Sequence, residues 1–240
     1  MEVNQDLCIG CGQCVPYCPV KAITLKEDAA EIEFDECVEC GNCLRMADCP
    51  VDAIYQQELV WPRSVRSLLS DPLTIAEESG ISGRGTEEMK TNEVTGRFRR
   101  GYAGIGLEIG RPILGTRFYD VERVAQAVGR MGVEFERINP TTSLMADSRT
   151  GKFKEDILKE KVLSAIIEFS VKQEQLPELF NILREVAQEI DTVFTVDIAC
   201  RVNPDGPVPT RTYTEAAGLW VAPNGKVNVG LGRPRIHEDS

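Results

Sequence analysis

Eight of the nine cysteines fall within residues 8–49, in two runs that repeat each other. The first, "CIGCGQCVPYCP", sets Cys8, Cys11, Cys14 and Cys18 in a C-x2-C-x2-C-x3-C-P pattern. The second, "CVECGNCLRMADCP", sets Cys37, Cys40, Cys43 and Cys49, with five residues instead of three before the last cysteine. "CGQC" answers "CGNC" and "CPVKAI" answers "CPVDAI", so the region is an internal duplication. Thiolates at i, i+3 and i+6 on a tightly coiled loop can each face one side of an iron–sulfur cube, and the fourth ligand must come from elsewhere. Gly10, Gly12 and Gly41 let the backbone approach such an anionic group and turn amide N–H groups toward it. Pro19 and Pro50 stop local helix and lead the chain out of the site. The start "MEVNQDLC" lacks the basic-then-apolar pattern of a secretory signal, so a disulfide framework is the poorer reading. Two structural zinc sites could use the same eight thiols, but the third cysteine of each triplet and the trailing C-P suit iron–sulfur chemistry better.

Over Val3 to Tyr55 the sequence resembles the bacterial-type 2[4Fe–4S] dicluster ferredoxins. The resemblance implies two [4Fe–4S] clusters with ligands exchanged between the repeats: Cys8, Cys11, Cys14 and Cys49 for one, Cys37, Cys40, Cys43 and Cys18 for the other. The two extra residues in "RMADC" depart from the pattern and are expected to make the clusters inequivalent. Between the triplets, Ala22–Lys26 and Glu31–Phe34 alternate as a short hairpin. A module this small has little apolar core, so the metal is expected to supply folding energy.

The elements that carry this module onward are less regular at first. Residues 59–100 read as a linker or docking segment, in which "SVRSLLSDPL" can form a helical turn or two with Val65, Leu68 and Leu69 on one side. From Gly101 the pattern sharpens: a strand at Tyr102–Ile109, a helix in "TRFYDVERVAQAVGRMG" with Thr116 near its N-cap, and a strand at Val133–Ile138. A short helical segment is expected near Glu155–Leu163. A strand at Ala165–Val171, a helix in "LPELFNILREVAQEI" and a strand at Thr192–Val202 follow. The units close on "INP" and "VNP". The expected class is therefore α+β: a dicluster ferredoxin module over 1–58 and, over 101–240, a β-α-β-β-α-β split β-α-β sandwich with an added hairpin turning at Asn224-Gly225. In topology this second domain weakly resembles ACT-type regulatory modules, without a specific ligand motif.

Charge narrows the partners. Residues 1–58 hold twelve acidic against three basic side chains, net −9 of the chain's −11. An acidic module of this kind is poorly suited to phosphate backbones and well suited to a basic surface on a redox partner. No stretch approaches the run of about 18 apolar residues that spans a bilayer, and a cytoplasmic location is expected. "GYAGIGLEIGRP" lacks the third glycine of a dinucleotide loop. Cys200 reads as a buried inert thiol, Trp61 and Trp220 as packing residues, and His237, the single histidine, as a tail residue without catalytic company. "GRGTEEMKTNEVTGRFRRG" (83–101) carries Arg97, Arg99 and Arg100 and reads as a tether, a partner-contacting segment or a strap folded onto the acidic module.

The function expected from these residues is one-electron transfer through two clusters, as a carrier or subunit of an anaerobic oxidoreductase system. No residue is assigned to catalysis, and the C-terminal domain serves docking or pairing of its sheet with a second copy. The alternative is a redox-linked sensor with a metabolite site in that domain. A chain that is itself a reductase stands third.

Overall fold

In the C-terminal half, alternation in three segments builds one sheet whose apolar rows are in register. The computed structural model describes residues 1–77, 79–80, 82, 99–111, 115–203, 206 and 208–223. Strand β5 (Tyr102–Ile109) is central, flanked by β10 (Ala165–Lys172) and β11 (Phe194–Ala199), both antiparallel to it. Ile167, Leu107 and Val196 share one row across the three strands, and Phe169, Ile105 and Ile198 the next. Because side chains alternate with period two, these rows all fall on one face. Helices α3 (Phe118–Gly129) and α4 (Leu176–Val186) cover the core with Phe118, Val121, Val124 and Val128 from one and Leu179, Leu183 and Val186 from the other. The ring of Phe118 meets Phe153 edge-on at 5.3 Å.

Several expectations are corrected. The strand expected at Val133–Ile138 reduces to a single antiparallel bridge from Phe135 to Phe169, beside β10. Beyond it Asn139 is buried: its Nδ2 donates to Glu168 Oε2 (2.6 Å) and its Oδ1 accepts from the amides of Thr141 and Thr142. That side-chain turn competes with the ladder and ends the pairing. The corresponding Asn203 is exposed, so the two "NP" tags are not structural equivalents. Thr116 does not cap α3; it pairs with Val162 in a two-residue ribbon of β6 (Thr116–Arg117) and β9 (Lys161–Val162), and the expected helix near Glu155–Leu163 is a 3-10 turn, Glu155–Ile157, leading into β9. The polar "LMADSRTGKF" forms a bulged hairpin of β7 (Met145–Asp147) and β8 (Lys152–Phe153). Residues 219–222 are not strand, and the hairpin turn at Asn224-Gly225 lies outside the described residues, as does His237. Trp220 is 83% exposed, not a packing residue. Gly104 and Gly106 pair one-to-one with both neighbouring strands.

In the N-terminal module β2 (Ile23–Lys26) and β3 (Ala29–Ile32) form the inter-triplet hairpin, and β1 (Glu2–Val3) pairs with β4 (Ile54–Tyr55) to close the repeat. Helix α1 (Asn42–Met46) begins inside the second triplet and carries Cys43, where the first repeat has a 3-10 turn, Val15–Tyr17, after Cys14. The two-residue insertion lengthens the stretch between Cys43 and Cys49, whose last residues, Ala47 and Asp48, lie beyond α1, with Asp48 in left-handed backbone (φ 46°). Helix α2 (Ser64–Ser70), inside the segment read as linker, buries Val65 and Leu69 in the C-terminal core. A further helix, α5 (Pro209–Ala216), starts on a proline at its first turn and packs against α4.

Candidate metal centre

The cysteines gather around two cavities, four to each. One is lined by Cys8, Cys11, Cys14 and Cys49 among others, the other by Cys18, Cys37, Cys40 and Cys43. Each cavity therefore takes three thiols from one repeat and the fourth from the other. Among the described residues no three His, Cys, Asp or Glu side chains converge on a single metal ion. A zinc tetrahedron brings sulfurs to about 3.8 Å of one another, whereas these thiols surround a volume. That is the arrangement a cube-shaped cluster requires.

The repeated "CPVxAI" tag has a local reason. Lys21 (φ 56°) and Asp52 (φ 49°) take left-handed backbone, which turns the next amide back onto the remote cysteine: Ala22 N–H donates to Cys18 Sγ at 3.1 Å, and Ala53 N–H to Cys49 Sγ at 3.4 Å. Ala30 N–H donates to Cys8 Sγ at 3.4 Å. Such bonds stabilise thiolate ligands. Without metal, burial pushes the Cys14, Cys37 and Cys40 thiols up. Cys43 is pushed up to about 12, by burial first and then by Cys37, Cys40 and Cys18. Iron must displace protons from these sulfurs, and the thiols acting on Cys43 are those of its own cavity.

Gly10 (φ +66°) shows how tightly the first loop is wound. A Cβ there would lie 2.6 Å from the carbonyl oxygen of Asp28, whereas at Gly12 (φ +71°) the nearest atom would be a Leu25 methyl at 3.8 Å. Gly10→Ala is expected to reduce the iron content of the protein from about eight to about four per chain. Gly12→Ala, which carries the left-handed cost of about 1–2 kcal/mol but no clash, is expected to keep both sets. Iron analysis of the two purified variants checks this.

The cavities differ in setting. Cys11 is exposed, with Leu7, Ile9 and Leu25 around it also exposed, while Cys37, Cys40 and Cys43 are buried. The second cavity faces the C-terminal half, where Val20 approaches Gly115. Charged side chains fill this joint. Arg66, buried, donates Nη1 to the carbonyls of Asp35 (2.9 Å) and Cys37 (2.7 Å) and Nε to Glu160. Arg45 donates to Cys40 O (2.6 Å) and pairs with both oxygens of Asp71. Glu36 accepts from Arg117 (2.6 Å) and Lys161, and the Lys161 hydrogen bond leads in holding its carboxyl below the ordinary range. Trp61, half-exposed, donates to Asp156 and lies under Lys154.

Sequence reasoning singled out the eight cysteines and missed Glu39. Aligning the repeats sets Glu39 opposite Gly10, and it keeps the left-handed backbone (φ 55°) that glycine would take. Its carboxylate is fully buried, accepting from Arg63 (2.5 and 2.9 Å) and the Met1 amino group (2.5 Å). Burial raises its pKa, but those two cations outweigh burial and leave it below the ordinary value. The signal was "CVEC" against "CIGC". The remaining candidates are not brought to the cavities: Cys200 is half-buried beside Thr210 Oγ1 (3.4 Å), Arg99 and Arg100 are exposed, and residues 83–98 lie outside the described residues.

Two thiol-lined cavities side by side, each closed by the other repeat's cysteine, define an iron–sulfur electron-transfer module. The description "4Fe-4S dicluster domain" matches residues 7–65. A 7Fe ferredoxin of Hydrogenibacillus schlegelii is 46% identical over 60 residues, 24% of this chain and 74% of that protein. A ferredoxin of Alicyclobacillus acidocaldarius is 46% identical over 55 residues, 22% of this chain and 68% of its own length. A subunit of the ion-translocating oxidoreductase complex of Methanosarcina acetivorans is 47% identical over 47 residues, 20% of this chain and 17% of that protein. No solved structure matches. Through its N-terminal quarter the chain belongs to the 4Fe–4S dicluster ferredoxins, and it carries two [4Fe–4S] clusters. No described helix is long and apolar enough to cross a membrane.

Proposed function

We propose that this chain is a one-electron carrier or subunit of an oxidoreductase system, with Cys8, Cys11, Cys14 and Cys49 holding an outer cluster and Cys18, Cys37, Cys40 and Cys43 an inner one. Each cluster, when bound, accepts and releases single electrons. The observation that carries the reading is the exposed Cys11 edge of the first cavity against the second cavity, where Cys37, Cys40 and Cys43 are buried and Cys18 is half-buried. Electrons exchange with the partner at the outer edge, where Leu7, Ile9 and Leu25 offer apolar contact inside a module of net charge −9. A basic rim on the partner complements that field and speeds encounter.

In this reading residues 1–58 are the redox module, 59–100 joins it to the rest, and 101–240 is a split β-α-β domain for docking or self-association. The observed order β11-β5-β10, with the Phe135 bridge beyond β10 and both helices on the core face, supports that topology. Anaerobic purification followed by iron analysis and EPR tests the proposal. About eight irons and two interacting S = 1/2 signals on reduction are expected. Zinc, or a single cluster, would overturn it.

A further inference from the structure

The buried arginine at the joint has no part in ligation, yet it reaches the backbone of a ligand. Arg66 stands on α2, a helix anchored in the C-terminal core by Val65 and Leu69 and by the Ser70 hydroxyl, which accepts from Leu163 N–H at 2.8 Å. Its Nη1 donates to Cys37 O while Nε of the same guanidinium meets Glu160, so the positive charge lies between that carboxylate and the ligand's backbone. Arg45 repeats the arrangement on the neighbouring ligand, donating to Cys40 O and paired with Asp71. No described contact of this kind reaches the backbone of Cys8, Cys11, Cys14 or Cys49.

Resting on the ligand sets given above, we propose that Arg66, assisted by Arg45, is a positioning residue that raises the reduction potential of the inner cluster above that of the outer one. Reduction adds a negative charge to an already anionic cluster. A guanidinium held in a dry site against the ligand backbone stabilises the reduced form more than the oxidised form. The electron entering at the exposed edge then comes to rest at the inner cluster. The C-terminal domain holds the arginine through α2 and supplies Glu160, its counter-charge. It thereby acts on the potential without providing a ligand.

Potentiometric titration monitored by EPR on the full chain tests this, with iron counted in each preparation. Arg66→Gln is expected to lower one of the two midpoints, by a tenfold or greater change in the reduced-to-oxidised ratio at fixed potential (about 59 mV for one electron), and to leave the other in place. Glu160→Gln, which keeps the arginine and removes its counter-charge, is expected to move the same midpoint upward. A merely structural arginine cannot produce opposite signs in the two variants. Midpoints that stay put, or that shift together, overturn the proposal. If Arg66→Gln fails to fold, the upward shift in Glu160→Gln decides alone. Failure of the ligand reading itself would show in the unsubstituted protein, as something other than two one-electron waves.

Discussion

Stripping the iron from the intact protein with a chelator under oxidising conditions is expected to unfold the N-terminal module and leave the C-terminal sheet standing. The apolar cluster between the repeats contains, apart from cysteines, little beyond Met1, Ala22, Ile23, Ala30, Ala47 and Ile54. Fully burying an aliphatic side chain contributes about 1.5–3 kcal/mol, while ordering each residue's backbone costs about 1–2 kcal/mol. So few side chains cannot hold some fifty residues, and the thiols that complete the core become buried protonated groups when metal leaves. By contrast the C-terminal core joins Phe118, Phe153, Phe180, Leu107 and Ile167 with more than a dozen other buried apolar residues. Hydrogen exchange with mass spectrometry separates the halves. Protection should vanish from the β1–β4 and β2–β3 pairs, persist in β5, β10 and β11, and return on reconstitution with iron and sulfide. Persistence of protection in both N-terminal pairs after iron removal would show that the module folds without metal.

What could be read from the sequence follows from how local the cause is. Cluster ligation forces cysteines into short fixed spacings, so all eight stand out without any knowledge of the fold. Strand β5 could be read to its end residues because Ala103, Ile105, Leu107 and Ile109 alternate against small or polar neighbours. The strand expected at Val133–Ile138 alternates only through Val133 and Phe135 before the polar Arg137, and beyond it the Asn139 side chain takes the amides of Thr141 and Thr142, a competition that periodicity does not reveal. Helix α2 was half legible: its apolar side was visible, whereas the partners of Arg66 lie 29 and 94 residues away in sequence. Helix α5, "PTRTYTEA", has no strong apolar stripe and buries two threonines instead. The grouping of thiols into quartets came from the family resemblance, and the two cavities supply a geometric basis for it.

Glu39 offers the sharpest test of the joint, because two of its properties can be removed separately. Glu39→Ala deletes the carboxylate and leaves Arg63, stacked on Phe34 at 3.6 Å, with its charge largely buried and unpaired. Breaking a buried pair in this way costs on the order of 3–5 kcal/mol. It also keeps a Cβ on a left-handed backbone (φ 55°), a strain of about 1–2 kcal/mol in the native protein. Glu39→Gly makes the same electrostatic loss but relieves that strain, restoring the residue that the first repeat carries at Gly10. Thermal bleaching of the visible iron–sulfur absorbance should therefore begin at the lowest temperature in Glu39→Ala, at an intermediate one in Glu39→Gly, and at the highest in the unsubstituted protein. The gap between the two variants measures the strain, and the gap between Glu39→Gly and the parent measures the ion pair less that relief. Equal bleaching of Glu39→Gly and the parent would mean that the carboxylate's interactions do no more than offset its backbone strain. The net stabilisation of the joint would then come from Arg66, the Arg45–Asp71 pair, Glu36 with Arg117 and Lys161, and the apolar anchor of α2.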